Sequence, residues 1–242
     1  MDSSVKFRPL LAGAALAAAG SLALAGCSSS TGTADAGTGS STGTSGKVLV
    51  VASTDVYGDI ASQIGGSAVQ VTSILTNPNQ DPHGFEADAQ TQLAISKARL
   101  IIENGGGYDD YVDTMRSSTS SKAALINAVT LSGFKAVDGD LNEHVFYDYP
   151  TMVKVANAIA ANLAKEAPSR AKTFFSNAAT FRQSMLKLEG QTAALKSRDA
   201  GRDVSYTEPV PGYLFDAIGL KNVTPEAFSH AVEEGNDVPR RR

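Results

Sequence analysis

From Lys47 onward the chain alternates short apolar runs with amphipathic stretches, and that rhythm leaves few folds open to it. Residues 47–52 (KVLVVA) are apolar almost throughout, as a strand buried on both faces must be. Asp55 is placed to cap a helix over 56–64, which Gly65-Gly66 would end. Strands are expected over 68–75, 99–103 and 123–126, with helices over 87–97 and 108–115 between them. A polar loop with two prolines covers 76–86, and Gly105-Gly106-Gly107 forms a turn. This is βαβ spacing, so the fold class is α/β with a mainly parallel sheet flanked by helices. In such sheets ligands sit beyond the carboxyl ends of the strands.

Two longer helices follow. In the first, started by Pro150 and ended by Pro168, Met152, Val155, Ile159 and Leu163 share one face. In the second, over 169–197, Phe174, Ala178, Phe181, Met185, Leu188 and Leu195 form a stripe. Such a helix is about 43 Å long at 1.5 Å per residue, and it suits a strut between two lobes better than a coiled-coil seam of barely three heptads. A strand over 203–207 and a helix over 211–218 then open a second βα lobe. The expected organisation is a signal peptide (1–26), a flexible tether (27–46), an N-terminal lobe (47–168), a linking helix (169–199) and a partial C-terminal lobe (200–242).

The N-terminus sets the location. Lys6 and Arg8 precede a run of Leu, Ala, Gly and Ser that ends in Leu24-Ala25-Gly26-Cys27. This tetrapeptide resembles the lipobox of bacterial lipoproteins, in which the Cys becomes the lipid-bearing first residue. Cys27 is the only cysteine of the chain, so an internal disulfide and a Cys-rich zinc site are excluded. The 28–46 stretch is Ser, Thr, Gly, Ala and one Asp; it cannot form a core and reaches roughly 25 Å as a flexible chain. The net charge of -4 argues against a nucleic-acid partner.

Few residues can carry chemistry. There are three histidines: His83, His144 and His230. His83 lies in the loop after a buried strand, His144 lies between a polar loop and a short apolar run, and His230 reads as an ordinary helix-surface residue. No HExxH motif, phosphate loop or GxSxG elbow between a strand and a helix is present. Taken alone, each histidine is more often a satisfied surface or core residue than a ligand.

Several segments together resemble the zinc/manganese solute-binding lipoproteins of bacterial ABC importers, the TroA-like metal-binding family. They are Asp81-Pro82-His83-Gly84-Phe85-Glu86, then Ile95-Ser96-Lys97-Ala98-Arg99-Leu100-Ile101-Ile102-Glu103-Asn104-Gly105, then Asn142-Glu143-His144-Val145-Phe146, and Thr207-Glu208-Pro209-Val210-Pro211-Gly212-Tyr213. The resemblance runs from about Lys47 to Asp237. It implies two α/β lobes joined by one long rigid helix, with the second lobe incomplete. It implies metal ligands at His83, His144 and Glu208, and a fourth beyond residue 242. It also implies an extracytoplasmic, lipid-anchored, monomeric binding protein that hands Zn²⁺ or Mn²⁺ to an ABC permease and is not an enzyme. Zinc-type members usually place a His where Glu208 stands, and many carry a His-rich loop that is absent here. Two His with carboxylates suit the harder Mn²⁺, although the Irving–Williams order favours Zn²⁺ at the same ligands. The competing readings are a metallohydrolase with Glu208 as general base, a surface adhesin of the same fold, and a truncated, non-functional member.

Overall fold

The computed structural model describes residues 46–136, 141–233 and 235–238. The signal peptide, Cys27 and the tether up to residue 45 lie outside the described residues, as do the last four positions. The described residues fall within one unit, Thr44–Arg242.

The alternation folds as expected. Strand β1 (Val48–Thr54) is followed by α1 (Asp55–Gly65), β2 (Val69–Leu75), α2 (Ala89–Lys97), β3 (Leu100–Glu103), α3 (Tyr111–Thr119), β4 (Ala124–Asn127) and a short α4 (Ala128–Ser132). The four strands form one parallel sheet in the order β2-β1-β3-β4. Central β1 and β3 are buried, whereas edge strand β2 alternates between buried and exposed positions, which its Val-Gln-Val-Thr sequence anticipates.

Alternate residues of the central strands face opposite layers. Val50, Ala52, Leu100 and Ile102 pack with α1 and with the two long helices, α5 (Tyr149–Glu166) and α6 (Ala171–Asp199). Val51 and Ile101 pack with Ile95 of α2 and Val112 of α3. Met152, Val155, Ile159 and Leu163 of α5 are all buried, and so are Phe174, Ala178 and Phe181 of α6. The first half of the 29-residue α6 is therefore built into the core that α1 and α5 form with the sheet. Its later stripe residues, Met185, Leu188 and Leu195, are only half-buried. After α6, β5 (Asp203–Val204), α7 (Gly212–Ile218) and β6 (Lys221–Asn222) make a small parallel βαβ unit, and α8 (Glu226–Glu233) follows. Among the described residues no helix is long and apolar enough to cross a membrane.

Local expectations shift in three places. Thr54, not Asp55, is the N-cap of α1; Asp55 lies in the first turn, where a carboxylate still complements the helix dipole. The helix expected over 108–115 starts at Tyr111, because Gly105, Gly106 and Gly107 all adopt positive φ and the turn runs on through Asp110. The strand expected over 203–207 ends at Val204, where its partner β6 also ends, so Glu208 stands in a loop.

Candidate metal centre

The sheet order places a topological switch between β1 and β3, with the chain leaving their carboxyl ends in opposite directions. The loops leaving β2 and β3, and the segment beyond α4, meet at this edge. His83 comes from the first, Tyr108 from the second and His144 from the third. The Tyr108 ring stands between the two imidazoles, edge-on to each with centroids 5.4 Å apart in both pairs. Burial pushes the Tyr108 hydroxyl up to about 12, with Asp109 and Glu143 adding to the shift, so it remains a neutral phenol.

Each imidazole is held by a short-range device. The Asp81 carboxylate accepts from the His83 backbone N–H at 2.9 Å, a local turn that sets the histidine on its loop. Asn142 does more. Its Oδ1 lies 2.9 Å from His144 Nδ1 and also accepts the His144 backbone N–H at 3.1 Å. With Nδ1 carrying the proton towards Asn142, Nε2 is left with its lone pair facing the cavity. His144 is buried, and that burial, with the nearby His83 adding, pushes its imidazole down to about 4. It is a neutral, coordination-ready ring at neutral pH.

The surroundings lock this segment in place. Tyr57 donates to Asn104 Oδ1 at 2.5 Å, and Asn104 Nδ2 donates to the Glu143 carbonyl at 2.8 Å. The Asp109 carboxylate accepts the backbone N–H groups of Asn104 and Gly105 at 2.6 and 2.7 Å, closing the glycine turn. From the other side, Asn142 Nδ2 donates to the Pro209 carbonyl at 2.9 Å, and Tyr213 Oη donates to the Asn142 carbonyl at 2.5 Å. Gly212 is required here, since a Cβ would come within 2.6 Å of Asn142 Nδ2.

The resulting cavity has a volume of about 600 Å³. His83, His144 and Glu208, which the sequence places far apart, all line it, together with Asp81, Tyr108, Phe146 and Glu233. His230 is exposed on α8 and is not among the lining residues. None of the described lining residues is Lys or Arg. Two carboxylates that sequence reasoning had not singled out approach the Nε2 atoms of the two histidines. Glu143 Oε1 lies 3.4 Å from His83 Nε2, and Glu233 Oε1 lies 3.9 Å from His144 Nε2. Ligand atoms of His83, Glu143 and Glu233 all lie within 4.8 Å of one another, a grouping that holds neither His144 nor Glu208. Glu143 sat unremarked inside the quoted Asn142–Phe146 segment, and Glu233 gave no signal beyond being an acidic residue on a short helix.

The sequence model of the family described as zinc-uptake complex component A, periplasmic (ZnuA) matches residues 50–238. The chain is 26% identical over 141 residues to the manganese-binding lipoprotein MntA of Halalkalibacterium halodurans, a match covering 58% of this chain and 47% of that one. It is 27% identical over 146 residues to the manganese-binding lipoprotein MntA of Bacillus subtilis, with the same coverage. The chain thus spans about half the length of the curated relatives it matches. In fold it is similar to the periplasmic zinc-binding protein TroA of Treponema pallidum, with a TM-score of 0.66 at 20% identity over 76% of this chain and 71% of that one.

Proposed function

Because the chain belongs to the ZnuA family of zinc-uptake components, we propose that it captures a divalent transition metal, Zn²⁺ or Mn²⁺, in the cavity shared by His83, His144 and Glu208, and delivers it to an ABC permease. The observation that carries this is the convergence of two imidazoles from separate loops on one carboxylate-lined cavity. The metal is cargo, so the chemistry is binding and release rather than turnover. Neutral imidazoles and ionised carboxylates would coordinate it, and affinity falls as these groups are protonated. Two imidazoles with oxygen ligands leave the choice between the harder Mn²⁺ and the more strongly bound Zn²⁺ to metal supply. Cys27 would carry a lipid that holds the domain at the outer face of the cell membrane, as a monomer presented to the permease.

Equilibrium dialysis of the full chain against Zn²⁺ and Mn²⁺ tests the proposal. The wild type should retain one ion per chain, and the His83→Ala, His144→Ala double variant should lose it. Unchanged affinity in the double variant would overturn the reading.

A further inference from the structure

Resting on metal capture at this site, we propose that Glu233 is itself a ligand of the captured metal, so that loading the site fastens helix α8 against the carboxyl edge of the four-stranded sheet. Glu233 occupies the last turn of α8, and Val232, Glu233 and Gly235 from this segment line the cavity. The helix end is closed by Gly235, at φ 65°, with Asn236 N–H donating to the Ala231 carbonyl at 2.7 Å. Its inward position is therefore fixed by a C-cap and by the burial of Ser229 and Ala231.

The distances fit coordination. Metal–donor bonds of about 2.0–2.2 Å allow two donors of one ion to lie up to ~4.4 Å apart. The 3.9 Å between Glu233 Oε1 and His144 Nε2 falls within that limit, as does the 3.4 Å between His83 Nε2 and Glu143 Oε1. Glu233 also belongs to the group whose ligand atoms lie within 4.8 Å of one another, with His83 and Glu143. It thus links the His144 side of the site to the His83 side.

Electrostatics point the same way. The carboxylate sits at the negative end of the α8 dipole, in a cavity that also holds Asp81 and Glu208 and is lined by no Lys or Arg among the described residues. A divalent cation at this place offsets the negative charge of the lining carboxylates.

Calorimetric titration of the full chain in detergent with MnCl₂ and with ZnCl₂ provides the test. Glu233→Gln should weaken binding of both ions at least tenfold, whereas Glu226→Gln, on the exposed start of the same helix, should stay within twofold of wild type. Hydrogen exchange gives a second measure that needs no variant: either ion should slow exchange of the 226–233 amides in the wild type. Glu233→Gln binding within twofold of wild type, or no metal-dependent protection of 226–233, overturns the proposal. If the His83→Ala, His144→Ala variant loses the metal in the same assays, metal capture stands and only the role of Glu233 falls.

Discussion

Asn142 holds His144 from one side and Pro209 from the other: Oδ1 meets the imidazole Nδ1 at 2.9 Å while Nδ2 donates to the Pro209 carbonyl, also at 2.9 Å. One amide thereby sets the tautomer of a buried imidazole and ties the loop of Glu208 to it. Partners of this kind are typically worth about 10–100-fold in metal affinity. Asn142→Ala should weaken Mn²⁺ and Zn²⁺ binding by that factor in a calorimetric titration. Asn142→Asp keeps an acceptor for Nδ1–H and should retain most of the affinity. Equal losses in the two variants would show that orienting the ring is not what Asn142 contributes.

Glu103, at the end of β3, is buried and accepts from Asn127 Nδ2 at 2.8 Å. Burial raises its carboxyl from 4.5 to about 7, against the pull of the Asn127 hydrogen bond. The folded chain therefore keeps a proton that the unfolded chain releases, so this contribution to stability is complete below pH 4.5 and is lost as pH rises through about 7. Glu103→Gln removes the dependence. In urea unfolding of metal-free protein, the variant should match the wild type near pH 4.5 and exceed it near pH 8 by on the order of 2–3 kcal/mol. A gap that does not change with pH would refute this.

Phe174 and Phe175 are neighbours on α6 with opposite fates. Phe174 is fully buried in the core with α1 and α5, and Phe175 is 51% exposed. Phe174→Ala should cost about 3–5 kcal/mol in denaturant unfolding. Phe175→Ala should stay within about 0.5 kcal/mol. Similar costs for the two would mean that the first half of α6 is not part of the core.

What the sequence made legible followed from the range of each interaction. The strands of the four-stranded sheet and the faces of α5 and α6 are written in local periodicity, and Met152, Val155, Ile159, Leu163 and Phe174 lie where that periodicity puts them. His83 and His144 could be found because each stands inside a short contiguous segment. The cap of α1 was misplaced by one residue because Thr54 and Asp55 are both good caps and only backbone geometry separates them. Glu233 was invisible for a different reason. On a short amphipathic helix an acidic residue looks like a solvated one, and only the packing of Ser229 and Ala231 turns it inward. The dual role of Asn142 likewise depends on Pro209 and Tyr213, which approach it only in the folded chain.

His83, His144, Glu208 and Glu233 are dispersed along the chain and meet only where three loops and a late helix converge. A polypeptide still unfolded, at the ribosome or in transit, offers each of them as an isolated weak donor. A change that unfolds the domain therefore disperses these four side chains, however far from the cavity it acts.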